Sequence, residues 1–226
     1  PAVPGHKTFT SHYHIEHATK LIEARKKKGT PVLPPILRNP QFVEVFKNSG
    51  IEIVHLAEFH NRLGRLRRDP DEALPLLETL HDECARLSDE KFLLLPGEEP
   101  NVHLGGHWIS FFPRPVMWVL NRAKGKPFVE EHPKFGRVYH VGSPEDVLKL
   151  MEVEEGLMWT AHPRIKSSTG FPDFYRDKPF FKSDRYLGGA WKAMPADLSR
   201  QRLGWRVLDL LDDMSNWGER KHIVGE

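Results

Sequence analysis

The residues best placed to do chemistry lie between Leu93 and Trp108. An apolar run, Phe92 to Leu95, ends in Pro96-Gly97 and is followed at once by Glu98, Glu99, His103 and His107. Setting carboxylates and imidazoles at the end of a buried strand is costly unless something binds there. Gly105-Gly106 lets the backbone pass close beside His107 or take positive φ. The chain holds 13 histidines, and imidazole is both the commonest metal ligand and the acid or base of neutral pH. Three further sets stand near expected strand ends. His12-Tyr13-His14 puts two imidazoles on one side of an extended segment by its period of two. Glu58-Phe59-His60 closes the run beginning at Ile51, and His162-Pro163 closes Leu157 to Ala161.

The elements that must hold these residues read as alternating helix and strand. Ile15 to Lys28 is a helix expected to end at Gly29. Asn39 with Pro40 is expected to open a short helix, and Leu74 to Leu87 a longer one whose start Pro75 blurs. Ser143 is the expected N-cap of a helix with Pro144 at its first position and Glu145-Asp146 in its first turn. Ile51 to Phe59, Val138 to Val141 and Leu187 to Met194 read as strands, as does His222 to Val224, and Ala123 to Pro133 reads as loop. Leu203, Val207, Leu208, Leu211 and Met214 form a helical core stripe. Recurrent helix, strand and terminal ligand favour an α/β fold of parallel strands, open or closed into a barrel, in one domain spanning 1–226.

Composition narrows the partners. With a net charge of +2 and neutral histidines, nothing argues for a nucleic-acid surface. The lone Cys84 excludes an internal disulfide and a Cys-rich zinc module. No apolar stretch suffices for a membrane span. The chain opens Pro-Ala-Val-Pro without a Met, as expected of a processed or trimmed start, so the compartment stays open.

The ordered set resembles the polymerase and histidinol phosphatase (PHP) superfamily of metal-dependent phosphoesterases. It runs His12-Tyr13-His14, Glu58-Phe59-His60 with one residue inserted, Gly97-Glu98, His107 and Ala161-His162-Pro163. The resemblance implies a distorted, TIM-like (β/α)7 barrel holding two or three divalent metals. Its ligands would be His12, His14, Glu58, His60, Glu98, His107 and His162, with Glu98 the bridging carboxylate and Glu99 its competitor. Zn²⁺, Mn²⁺ and Fe²⁺ all suit such mixed sites. The substrate would be a small phosphate ester, with Glu98 and His162 at the reacting centre and Arg164 gripping non-bridging oxygens. Lys166, Arg185 and Lys192 are further cations nearby.

Two departures stand against the pattern. Ser11 replaces the usual Asp before the first His, and no closing Asp-x-His element is evident around Asp184 or His222. Val224-Gly225-Glu226 would be the last barrel strand, cut where that ligand belongs, with Glu226 as a substitute. His17 and His103 are open between direct ligation and support, and His55 is expected to point inward. His6, His81, His132, His140 and His222 read as surface or capping. The rival readings are an amide- or lactone-cleaving metal hydrolase on a similar barrel and a ligand-binding barrel with a degenerate metal site. Trp108, Trp118, Phe171 and Tyr175 would be exposed in the second.

Overall fold

The structure is a computed structural model that describes residues 3–26, 34–58, 70–164, 168, 172–190, 209–219 and 222–225. Phe59, His60, Lys166, Phe171, Lys192 and Glu226, all named above, lie outside the described residues.

Eleven strands and seven α-helices are described. β1 (Phe9–Tyr13), β2 (Ile53–Leu56) and β3 (Leu93–Leu95) form a parallel sheet in that order. A second sheet runs β11 (Ile223–Gly225), β10 (Tyr186–Ala190), β9 (Leu157–Ala161), β5 (Trp108–Phe111) and β4 (Gly97–Glu98). A third joins β6 (Met117–Val119), β8 (Gly136–His140) and β7 (Val129–His132). The first two meet where Glu58 and Glu98 bridge in parallel: Glu58 N–H donates to Gly97 O at 3.0 Å and Glu99 N–H to Glu58 O at 2.7 Å.

The α/β class is observed, but the (β/α)7 barrel is not. The described strands lie in three sheets, without a closed ring among them. β5 runs antiparallel to both β4 and β9. From Trp108 to His140 the chain makes strands without an intervening helix, so the regular crossover that keeps a barrel parallel is missing there. Ala123 to Pro133 is likewise not all loop, because Val129 to His132 pairs with β8 as a hairpin.

The helices are α1 (His17–Lys26), α2 (Pro35–Arg38), α3 (Gln41–Asn48), α4 (Pro70–Leu87), α5 (Pro144–Val153), α6 (Pro179–Lys182) and α7 (Asp209–Asn216). Pro75 sits inside α4, whose start is Pro70 rather than Leu74. Pro40, not Asn39, is the N-cap of α3. Of the stripe from Leu203 to Met214, the described part is α7, where Leu210 and Met214 are buried.

Large apolar side chains of strands and helices pack into one buried core, among them Leu56, Leu94, Trp108 and Met158 with Leu77, Leu80, Leu150 and Met214. A smaller group, Ala57, Ile109, Trp159, Ala161 and Ala190, fills the space between strands. Trp108 and Trp118 are buried in the core and therefore form no exposed aromatic face.

The expected cap of α5 is present. Ser143 Oγ accepts from the Asp146 N–H at 3.2 Å. Ser143→Ala should cost about 1 kcal/mol of unfolding free energy, read by urea denaturation. An unchanged midpoint would show that the cap contributes nothing.

Candidate metal centre

Five side chains from four separated stretches converge at one rim. Glu99 is central and almost fully buried. Its Oε1 lies 2.8 Å from His107 Nδ1, 3.0 Å from His162 Nε2 and 3.3 Å from His12 Nε2. Its Oε2 lies 3.0 Å from His14 Nε2. The imidazoles crowd one another, with His12 and His162 centroids 5.2 Å apart and those of His107 and His162 4.9 Å apart.

Each side chain arrives by a local device. β1 carries a register irregularity between Thr10 and Tyr13, and His12 within it has φ 65°. A bulge of this kind re-aims a side chain, here bringing both His12 and His14 to the rim. Glu99 follows β4, and alternation along that strand turns its neighbour Glu98 to the opposite face. His162 follows β9 with φ 34°, its N–H bonded to Ala190 O. His107 precedes β5. Because β5 is antiparallel, its first residue, not its last, lies beside the end of β9: Ala161 N–H donates to His107 O at 2.9 Å. Left-handed backbone at two non-glycine residues is strained and persists where the surroundings enforce it, typically at functional sites.

The electrostatics fit cation ligation. Burial pushes the Glu99 carboxyl up, but hydrogen bonds from His107, His12, His14 and His162 outweigh this and hold it well below the usual carboxylate range. Burial lowers the His12 pKa against the pull of Glu99, favouring the neutral imidazole that offers a lone pair. His12 and His14 with Glu99 form one set of ligand atoms within 4.8 Å of one another, and Glu99, His107 and His162 form a second. Two atoms bound at about 2.0–2.1 Å to one tetrahedral ion stand roughly 3.4 Å apart, close to the spacing found. His12 Nδ1 has no hydrogen-bond partner among the described residues, and Nε2 has only its 3.3 Å approach to Glu99. A buried imidazole in that state is costly, and a cation at Nε2 would relieve it.

Other expected site residues go elsewhere. Glu58 Oε1 accepts from the N–H groups of Ile15 and Glu16 at 2.8 and 2.9 Å, so it shapes the turn after His14. Burial raises its pKa despite those bonds. Glu58 and Glu98 line a small cleft with Leu76 and Leu80 of α4, and Glu58 lies close enough to His14 to interact with it electrostatically. Arg164 does not reach out to solvent: its guanidinium is clamped by Asp173 and Asp213. His17 pairs with Glu83 of α4 at 2.9 Å and so ties α1 to α4. His103 has φ 72° and lines a cleft of about 470 Å³ with Tyr175, Lys178 and Phe180.

His55 points inward as expected and is fully buried, its Nε2 3.3 Å from Ser110 O and its ring edge-on to Phe111. The ring occupies the space where Gly97 would carry a Cβ. His132 caps a turn by accepting from the N–H groups of Lys134 and Phe135. His140 corrects the surface reading. It is fully buried between Asn121 O at 3.0 Å and Glu130 Oε1 at 2.8 Å.

Ser168 carried no sequence signal. Its Oγ accepts from the His107 N–H at 3.0 Å. One Ser of the Ser167-Ser168 pair, inside a Pro-, Ser- and Lys-containing stretch, has no spacing that marks it.

Comparison with protein-family models finds no match, and comparison with curated proteins finds none. Among solved structures, the chain is similar to a two-domain protein from Bacteroides vulgatus containing a predicted PHP-like metal-dependent phosphoesterase. The identity is 14% and the TM-score 0.42, over 84% of this chain and 46% of that one. The chain thus spans about half the length of that protein. Among the described residues, no helix is long and apolar enough to cross a membrane.

Proposed function

We propose that the chain is a metal-dependent hydrolase whose favoured substrates are small phosphate esters, built on the PHP-like order of His12-Tyr13-His14, Gly97-Glu98-Glu99, His107 and His162-Pro163. The observation that carries this reading is the buried Glu99 carboxylate shared by two sets of imidazoles. Glu99 takes the bridging role, with His12 and His14 on one side and His107 and His162 on the other. Zn²⁺, Mn²⁺ or Fe²⁺ held there would supply a water acidified toward neutral pH and positive charge facing the developing oxyanion. The protein's own part is to favour neutral His12 by burial, fix Glu99 ionised among the imidazoles, and hold the ligand atoms a fixed distance apart before substrate arrives.

The test is metal analysis of the purified protein together with hydrolysis of p-nitrophenyl phosphate. His12→Ala and His162→Ala should each lower bound metal and turnover together by about 100-fold or more, since changes beyond the ligands alone cost 10–100-fold. Full metal stoichiometry in either variant would remove that residue from the ligand set. A metal-loaded protein that cleaves amides or lactones but no ester would move the substrate class. One that cleaves none would make the centre a binding site only.

A further inference from the structure

Arg164 sits two residues after His162, with φ 62°. Its side chain is only 5% exposed. Nη2 reaches Asp173 Oδ1 at 2.7 Å and also Asp213, while Nε reaches Asp173 Oδ2 at 3.1 Å. Asp173 belongs to a short 3-10 turn, Asp173–Tyr175, and Asp213 to α7. Two carboxylates therefore balance the guanidinium, a poor arrangement for gripping an anionic substrate. The main chain of the same residue has a different destination. Arg164 N–H donates to Ser168 O at 3.0 Å, and Ser168 Oγ accepts from the His107 N–H at 3.0 Å. Ser168 is fully buried. His107 is thus held on both sides of its peptide, through its carbonyl to Ala161 of β9 and through its N–H to Ser168.

We propose that Arg164, clamped by Asp173 and Asp213, is a positioning residue that, through Ser168, sets the backbones of His107 and His162 against one another at the rim. This rests on the metal-centre reading above. Both His162 and Arg164 occupy left-handed backbone, which survives only where surroundings over-determine it. The carboxylate clamp supplies that constraint from the far side of the turn, and Ser168 passes it to the second imidazole-bearing segment. Arg, not Lys, suits the role, because a planar fork fixes two carboxylates in one geometry.

The experiment uses Co²⁺ as the probe, with the purified full chain. Affinity is read by calorimetric titration and ligand geometry by the visible absorption of the Co²⁺-loaded protein, with circular dichroism melts alongside. Ser168→Ala and Asp213→Asn should each weaken Co²⁺ binding by about 10-fold or more and shift the visible band. Ser168→Thr, which restores the hydroxyl, should recover much of the affinity. Arg114→Ala, which removes a surface ion pair with Glu154 and Glu155, should change neither readout. Should Asp213→Asn fail to fold, Ser168→Ala decides. Folded Ser168→Ala that binds Co²⁺ as tightly as the parent, with the same band, overturns the positioning role. A parent protein that binds no Co²⁺ overturns the metal centre itself.

Discussion

Glu99→Gln is expected to reduce cation affinity by more than about 100-fold and to take hydrolysis with it. The substitution keeps the volume of the side chain and removes its charge. Changes to groups that only support a ligand already cost 10–100-fold. Glu99 is shared by both ligand sets, so its loss should exceed that range. Glu98→Gln, one residue away on the opposite face of β4, should cost less than about 10-fold. Equal losses in the two variants would show that the carboxylates act together and that Glu99 has no special place. Stability should respond as well. The Glu99 carboxyl is held below its ordinary range in the folded protein, so its contribution is present above pH about 4.5 and is lost as the pH falls. Glu99→Gln should lack that acid-dependent part, which urea unfolding at a series of pH values would reveal.

A second large effect is expected from His55. Burial lowers its pKa from 6.5 to about 4, with the hydrogen bond to Ser110 opposing. A histidine whose folded pKa lies below its unfolded value favours the folded state when neutral. As the pH falls through 6.5 the unfolded chain takes up the proton and the folded protein does not. Stability is therefore lost between pH 6.5 and 4, by about 3 kcal/mol at 1.36 kcal/mol per pH unit. Glu58 acts in the opposite sense, because burial raises its pKa, so total stability against pH mixes the two. The comparison of parent with His55→Gln isolates the imidazole. Gln can still donate to Ser110 O but does not titrate, so the gap in unfolding free energy between the proteins should close by about 3 kcal/mol from pH 7 to pH 4. A constant gap would mean that His55 accepts its proton without cost.

The sequence was most legible where one local rule decides the outcome. The Ser143-Pro144 helix start, the apolar strands of Ile53 to Leu56 and Leu157 to Ala161, and the rim-seeking His12, His14, His107 and His162 all follow from pattern and spacing. The choice between Glu98 and Glu99 was not legible, because adjacent strand residues face opposite ways and only the register with Glu58 says which faces the rim. Arg164 read as an anion grip because no local spacing marks its partners, Asp173 across a loop and Asp213 on a distant helix. His140 read as surface because its partner Glu130 lies on a hairpin strand that composition had marked as loop. The barrel failed for a related reason. Whether a strand runs with or against its neighbours is set by tertiary pairing, and Trp108 to Phe111 carries the same apolar signal in either direction.

The antiparallel course of β5 bears on when the rim comes into being. Glu99 and His107 are joined by a short stretch of chain and can meet early. His12 must await His162, a closure across most of the polypeptide, and long loops of this kind form late. Cations would then encounter a finished pocket rather than recruit its parts, and would act on the folding equilibrium by mass action alone. Saturation to 100 times the dissociation constant adds about 2.7 kcal/mol, so chelator should lower the melting temperature while leaving the refolding rate unchanged.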